Sequence, residues 1–182
     1  MCQTIILALS LMVFLSAIPV QPKEYYKTNT GTVEFISDAP LELISAKSEK
    51  LKGILSTEKS SFAFEMDISS FIGFNSPLQS EHFKENYMEV DRFPKATFTG
   101  SIIESVDFTL PGKYNVRAKG KFDIHGVKQP LMLNITLKVK ESTIIADCEF
   151  DILLKDYEID IPRIVNKKIA DLIHVKVHVE LK

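Results

Sequence analysis

The chain has no tryptophan and only two cysteines among its 182 residues, which limits the chemistry open to it. Cys2 precedes a long apolar run, so a chain processed after that run keeps Cys148 alone and has no internal disulfide. Cys148 alternates with Ala146 and Phe150 on one face of a predicted strand. This pattern predicts a buried thiol that acts as a small hydrophobe, not as a nucleophile.

The sequence also lacks an excess of charge of either sign. Its 22 basic and 24 acidic residues leave a formal net charge of −2. The lysines alternate with acidic residues and form no basic run of the kind that attracts a polyanion. We therefore expect no nucleic-acid partner.

Motifs that mark common catalytic and metal sites are absent as well. There is no GxSxG elbow, no HExxH, no Gly-rich phosphate loop and no C-x-x-C. His174 and His178 stand on one predicted strand, roughly 13 Å apart, which is too far to share an ion. We expect no enzyme, no metal site and no cofactor.

The seven glycines and eight prolines are spread singly, so no flexible linker divides the chain into domains. Ile5 to Val20 is almost wholly apolar and too short for a comfortable membrane span of about 20 residues. We expect residues 1–22 to be a signal peptide, with the cleavage point left open, and residues 23–182 to be one exported domain. An uncleaved membrane anchor is the alternative.

The part of the chain after this run alternates apolar and polar residues with a period of two, as β-strands do. In Lys113–Ile124, Val116, Ala118 and Phe122 share an apolar face, and lysines alternate with them on the other face. The same pattern predicts these strands: Tyr25–Thr28 running into Thr32–Ser37, Leu41–Ala46, Leu51–Thr57, Ser61–Ile68, Ala96–Glu104, Lys113–Ile124, Leu131–Val139, Thr143–Leu154 and Ile173–Leu181.

Two short helices are predicted between strands. Ser76-Pro77-Leu78-Gln79 is a capping box with proline at the first helical position, and Phe83, Tyr87 and Val90 give that helix an apolar face. The second helix is expected to open at Pro162, with Val165, Ile169 and Leu172 on one side.

Short polar turns between strands predict antiparallel neighbours, and about eight such strands are best closed into a barrel that leaves no unpaired edge. Strands near twelve residues long favour a barrel over a two-sheet sandwich, which alternation alone does not exclude. The fold prediction is therefore mainly β, a single antiparallel eight-stranded barrel with two short helices.

The apolar faces of these strands define a candidate interior. Small residues remove volume at mid-strand, which favours a cavity over a solid core filled by phenylalanine rings; they are Gly53, Gly100, Ala118, Gly120, Ala146 and Cys148. The candidate cavity-lining residues are Phe62, Phe64, Met66, Phe98, Gly100, Val116, Ala118, Gly120, Phe122, Leu133, Ile135, Leu137, Ile144, Ala146, Cys148, Phe150, Val175 and Val177.

None of these faces carries a charge, so a deeply held ionic group would be costly and an alkyl or isoprenoid chain suits the interior. About ten buried CH₂ groups at roughly 0.8 kcal/mol each would gross some 8 kcal/mol before association costs. The leading hypothesis is an exported carrier or sequestering protein for a long-chain lipid. The alternatives are a small outer-membrane barrel with its apolar faces turned to lipid, and a solid-core β interaction module without ligand.

Three segments resemble the YceI-like proteins. They are Glu81-His82-Phe83 through Arg92-Phe93-Pro94-Lys95-Ala96-Thr97-Phe98-Thr99-Gly100; Gly120-Lys121-Phe122-Asp123-Ile124-His125-Gly126-Val127-Lys128-Gln129-Pro130-Leu131; and Asp156-Tyr157-Glu158-Ile159-Asp160-Ile161-Pro162 with Lys168-Ile169-Ala170, which is similar to a subgroup typical of Bacteroidetes-type bacteria. The resemblance implies an exported, lipocalin-like extended barrel that binds polyisoprenoid or similar long-chain lipids, located in the periplasm or outside the cell.

The chain departs from the family pattern at its start and before the first helix. Tyr25-Tyr26 stands where family members often have a Trp strand, and Leu78 and Gln79 stand where an Arg often precedes the helix histidine. Contacts at the cavity mouth therefore differ from the family pattern. The sequence leaves open whether the protein contacts a membrane transiently and whether it forms a homodimer.

Overall fold

A computed structural model describes residues 24–182, and the expected signal peptide lies outside these residues. Strand-forming sequence with a period of two becomes eight strands: β1 (Tyr25–Ala39), β2 (Glu42–Ser56), β3 (Ser61–Asp67), β4 (Lys95–Ile102), β5 (Gly112–Ile124), β6 (Val127–Val139), β7 (Ile144–Leu153) and β8 (Leu172–Leu181). One helix, α1 (Pro77–His82), continues into a π-helical turn, Phe83–Tyr87. Within residues 24–182, no helix is long and apolar enough to cross a membrane.

The eight strands form one closed barrel in which each strand pairs with the next along the chain. Every pairing is antiparallel, and β8 closes the barrel on β1 through pairs such as Phe35 with Val175. The predicted strands Leu41–Ala46 and Leu51–Thr57 merge into the single strand β2. The predicted antiparallel eight-stranded barrel is confirmed.

The faces of the strands are oriented as their composition requires. On β5, Val116, Ala118 and Phe122 are buried inside the barrel, while Lys119 and Lys121 are exposed outside it. This is the reverse of a transmembrane barrel, in which the apolar faces are turned outward to lipid.

Antiparallel order places the connections alternately at the two ends of the barrel. The end formed by residues 57–60, 103–111 and 140–143 is called the closed end here. The other end, formed by residues 40–41, 68–94, 125–126 and 154–171, contains α1 and is called the helix end. Both long connections of the chain therefore cover the helix end.

The first predicted helix is present, and the second is not. Ser76 caps α1 by accepting a hydrogen bond from the Gln79 backbone N–H at 3.1 Å, as the capping box predicted. Beyond Pro162 the chain forms only a 3₁₀ turn, Arg163–Val165, and Leu172 already belongs to β8. The Lys167 carbonyl, which a continuing helix would use for its own hydrogen bond, instead accepts a bond from the Leu41 N–H.

The seam between β6 and β7 is paired over only part of its length. β6 and β7 pair from Thr136 with Asp147 to Val139 with Ile144, at the closed end. The remaining halves of both strands continue toward the helix end without pairing with each other. Pro130, which has no N–H for a ladder, lies in this unpaired half of β6, where its missing donor costs least.

Candidate ligand-binding cavity

The barrel contains a cavity of about 240 Å³ between the inner faces of its strands. Its wall includes residues from every strand and from both long connections of the helix end. The connections contribute Ile68, Phe71, Phe74, Gln79, Phe83, Tyr87, Met88, Leu154, Ile159, Ile161 and Ile169. The cavity therefore lies toward the helix end, beneath α1 and the segment that follows β7.

Most of the residues that the sequence predicted as lining do border this cavity. They are Phe62, Phe64, Met66, Phe98, Phe122, Leu133, Ile135, Ala146, Cys148, Phe150, Val175 and Val177. Their contact with a ligand stays a prediction.

The other predicted lining residues do not border the cavity; they are Gly100, Val116, Ala118, Gly120, Leu137 and Ile144. Ala118 and Ile144 have no solvent exposure, and Val116 and Leu137 are buried beside them. Val116, Leu137 and Ile144 lie in the halves of their strands nearer the closed end, where buried side chains pack against one another. The vacant part of the interior extends from the helix end as far as Phe62 and Ala146.

The glycines do not open space as the sequence suggested. A Cβ on Gly100 would lie 2.2 Å from the Lys119 carbonyl oxygen, and one on Gly120 would lie 2.3 Å from the Thr99 carbonyl oxygen. These two glycines therefore allow the backbones of β4 and β5 to approach each other closely. A Cβ on Gly53 would lie 2.0 Å from the Phe64 ring, which occupies the space above that glycine. Among the small residues singled out, Ala146 and Cys148 do border the cavity.

Phenylalanine rings form a cluster between the barrel wall and the helix-end connection. The Phe83 ring stacks on Phe35 at 5.2 Å between centroids and lies 5.0 Å from Phe74 and 5.8 Å from Phe71. Phe71 and Phe74 were missed because they lie in an irregular segment without periodicity. A second signal was available, since four Phe residues near one predicted helix have to be buried somewhere.

Two polar side chains in the cavity wall, Ser37 and Gln79, form hydrogen bonds within the protein itself. Ser37 Oγ accepts a hydrogen bond from the Ala170 N–H at 2.9 Å. Gln79 Nε2 donates to Glu42 Oε1 at 2.9 Å, and its Oε1 accepts from the Asn75 N–H. No charged side chain is among the described residues that line the cavity. The wall is therefore suited to hydrocarbon.

Cys148 faces the cavity as a neutral thiol. Burial, together with the neighbouring Asp147 and Glu149 carboxylates, raises its pKa to about 12. Because the thiolate is the nucleophilic form, this environment suits a small apolar group in the wall.

His125 joins three connections at the helix end. It is buried in the turn after β5 and adopts a left-handed backbone conformation, with φ of 54°. Its Nδ1 donates to the Tyr157 carbonyl oxygen at 3.0 Å, and its Nε2 lies 3.3 Å from Glu89 Oε1. Arg92, bonded to Glu89, holds the pKa of that carboxyl below its usual value. The arrangement ties the segments that cover the cavity to one another.

The two histidines of β8, His174 and His178, face outward, and each pairs with a different aspartate of β7. His174 Nδ1 lies 2.9 Å from Asp151 Oδ1, and His178 Nδ1 lies 2.6 Å from Asp147 Oδ1. Across residues 24–182, no group of three or more His, Cys, Asp or Glu side chains is arranged to hold a metal ion.

Solved structures share this barrel. A polyisoprenoid binding domain from Saccharophagus degradans, implicated in plant cell wall breakdown, superposes with a TM-score of 0.74 at 17% identity, covering 87% of this chain and 98% of that one. Burkholderia cenocepacia BcnA gives a TM-score of 0.67 at 18% identity over 84% and 96% of the two chains. The Campylobacter jejuni YCEI protein gives 0.53 at 16% identity over 94% and 89%. At these identities the likeness shows the fold.

The chain has a short local likeness to one very long protein and a match along its whole domain. Over 83 residues, or 42% of its length, the chain is 30% identical to the Titin homolog of Caenorhabditis elegans, and this stretch amounts to 0% of that protein's length. Residues 27–181, which run from the first strand to the last, match the YceI-like domain. With that match across the barrel just described, the chain belongs to the YceI-like family.

Proposed function

We propose that the protein binds a long-chain apolar ligand, a polyisoprenoid or a similar amphiphile, in the helix-end cavity. The observation that carries the proposal is an interior vacancy of about 240 Å³ whose wall is almost wholly hydrocarbon. Cavities lined this way with few polar groups are typical ligand sites. The polyisoprenoid binding domain of Saccharophagus degradans, which shares the fold, supports the same ligand class.

The size of the cavity sets the scale of binding. At roughly 30 Å³ per water-sized group, 240 Å³ holds at least about eight methylene groups. Burying eight at roughly 0.8 kcal/mol each contributes about 6 kcal/mol before association costs. A longer chain gains more by extending under the aromatic cluster of Phe35, Phe74 and Phe83 toward the mouth. The polar head of the ligand would lie outside, because a buried charge would find no partner in the wall.

The proposed role is transport, storage or sequestration of this ligand after export, in the periplasm or outside the cell. The apolar run Ile5 to Val20 supports export. A binding role is favoured over catalysis because the cavity wall offers no acid–base pair, and the Cys148 thiol that faces it has a pKa of about 12.

The test is native mass spectrometry of protein purified from its own host, with lipid extraction of the same sample. We expect an apolar molecule with a long chain to be recovered with the wild type. Ala146→Phe adds a ring to the cavity wall and should lower the bound fraction at least tenfold. Ala63→Phe makes the same change on an exposed position of β3, so its bound fraction should match the wild type.

Recovery of empty protein that also fails to take up an added fluorescent fatty acid would contradict the proposal. It would favour the alternative of an interaction module without ligand. The outer-membrane alternative is weakened by the outward-facing lysines of β5, Lys119 and Lys121, which would meet lipid.

A further inference from the structure

Several large aliphatic side chains of the helix end are exposed to solvent, among them Ile72, Leu78, Leu41 and Ile164. Ile164 is 92% exposed in the turn after Pro162, and Leu41 is 68% exposed in the turn between β1 and β2. Single exposed aliphatic residues are common on protein surfaces, so exposure alone indicates nothing. Their surroundings distinguish these two.

Hydrogen bonds hold these two turns together as one surface. The Leu41 N–H donates to the Lys167 carbonyl oxygen at 2.9 Å. Nearby, the Ala170 N–H donates to Ser37 Oγ at 2.9 Å, which fixes the far end of the segment to β1. Leu41 and residues 162–168 therefore form one exposed surface, called the basic tip here.

The charges of the basic tip are of one sign and unpaired. Arg163, Lys167 and Lys168 are exposed, and the acidic residues that flank the basic tip in the sequence, Asp160 and Asp171, lie outside it. No described carboxylate lies within 4.0 Å of these three cations.

The basic tip lies next to the cavity wall. Ile161 and Ile169, which immediately flank it, both line the cavity wall. A surface that meets the basic tip therefore also meets the segment that covers the cavity at the helix end.

We propose that the basic tip docks on an anionic lipid bilayer, with Ile164 and Leu41 in the interfacial region and Arg163, Lys167 and Lys168 against the headgroups. Each such cation strengthens binding to an anionic surface roughly fivefold. Lysines beside exposed aliphatic residues fit a bilayer better than a protein partner, whose interfaces favour aromatic and methionine anchors and are depleted in lysine. The purpose, passage of an apolar ligand between membrane and cavity, rests on the proposed function.

The absence of tryptophan from the chain gives a direct test of which end meets the membrane. Ile164→Trp places one fluorophore on the basic tip, and Leu110→Trp places one on an exposed position of the closed end. On vesicles of equimolar phosphatidylglycerol and phosphatidylcholine, the emission of Ile164→Trp should shift to the blue and that of Leu110→Trp should not. A retained apolar N-terminus would bring the closed end to the vesicle, because β1 starts there, and would shift Leu110→Trp instead.

Charge variants in the Ile164→Trp background test the contribution of the cations. Arg163→Gln, Lys167→Gln and Lys168→Gln together should lower the vesicle partition coefficient on the order of a hundredfold. Lys113→Gln, Lys119→Gln and Lys121→Gln remove the same charge from β5 and should change it less than fivefold. Vesicles of phosphatidylcholine alone should bind both triple variants equally weakly.

An unshifted Ile164→Trp emission on the anionic vesicles, or equal partitioning of the two triple variants, would overturn the proposal. Ligand uptake is measured separately, with a fluorescent fatty acid in vesicle-free solution. Uptake without docking removes only the basic-tip proposal, and docking without uptake removes only the proposed cavity function.

Discussion

Gly100 and Gly120 face each other across β4 and β5, and the backbone leaves no room for a side chain at either position. Both residues show how a single missing Cβ shapes the barrel wall. Because the nearest atom that a Cβ would meet at either position is a backbone carbonyl oxygen, the strain of a substitution cannot be relieved by a side-chain rotation. The requirement for glycine here comes from strand approach and not from an unusual backbone angle.

We predict that Gly100→Ala destabilises the fold by about 1–3 kcal/mol or more, since its Cβ would lie 2.2 Å from the Lys119 carbonyl oxygen. Gly112→Ala is the matched control, because its Cβ would lie 3.4 Å from the nearest atom, in the Tyr114 ring. Urea unfolding of both variants checks the prediction. Equal midpoints for the two variants would contradict the close approach of β4 and β5.

Glu104 and Arg117 show how one carboxylate fixes a connection at the closed end. Glu104 Oε2 accepts the Arg117 backbone N–H at 2.6 Å, and Oε1 accepts the guanidinium Nε–H at 2.7 Å. These bonds lower the pKa of the Glu104 carboxyl below its usual value of 4.5. The ionised form is therefore favoured in the folded state, so its contribution to stability is present above about pH 4.5 and is lost as pH falls through the lowered pKa.

We predict that Glu104→Gln lowers stability at pH 7 and that this deficit shrinks as the pH falls below about 4.5. The measurement is the free energy of unfolding in urea from pH 7 to pH 3, taken as the difference between wild type and variant. Glu141→Gln, in the exposed turn between β6 and β7, controls for the loss of one surface charge. A deficit that stays constant across this range would show that Glu104 does not act through its charge.

At the scale of elements, the strands could be predicted because the alternation of apolar and polar residues within each strand reflects which of its faces is buried. Alternation in β5 and β7 depends only on which face meets the interior, and this is visible within a dozen residues. The helix predicted after Pro162 is absent because the Lys167 carbonyl bonds to the Leu41 N–H. This partner is distant in sequence, so no local pattern reveals it. The aromatic cluster around Phe71 and Phe74 was missed because that segment forms no regular helix or strand, so its sequence shows no periodic pattern.

The seam between β6 and β7 is an element-scale feature whose consequence can be measured. In β6, alternate N–H groups point to β5 and to β7. Within residues 127–135 the groups that point away from β5 have no strand partner in β7, although both strands continue there. The Gln129 side chain bridges part of the opening by donating to the Asp156 carbonyl oxygen at 3.3 Å.

We predict that these outward-pointing amides exchange hydrogen fastest within β6, while the amides of residues 136–139 are protected on both sides. Residues 118–123 of β5, paired with both β4 and β6, are the internal control. Residue-resolved hydrogen exchange by NMR makes the comparison. Uniform protection along β6 would mean that the seam is closed in solution.

For the whole molecule, the decisive feature is that the barrel is filled at one end and vacant at the other. Ala118, Ile144 and Leu181 are fully or almost fully buried toward the closed end, where Phe108 from the 103–111 connection adds a ring to the core. Two long connections, residues 68–94 and 154–171, cover the helix end, and the vacancy lies beneath them. Alternation specified which faces turn inward but not how far the side chains of opposite strands reach, because that depends on barrel shape.

This division predicts how ligand and stability are coupled. A ligand that binds only the folded state stabilises it by about 2.7 kcal/mol at a hundred times its Kd. For a domain of this size, about 2–4 °C per kcal/mol converts that to a rise in Tm of about 5–11 °C. We expect this rise for wild type with a saturating long-chain fatty alcohol, measured by calorimetry. Ala146→Phe should lose it because its ring occupies the cavity, and Ala63→Phe should retain it. An equal ligand-induced rise in the Tm of Ala146→Phe would show that the ligand binds outside the cavity, on the barrel surface.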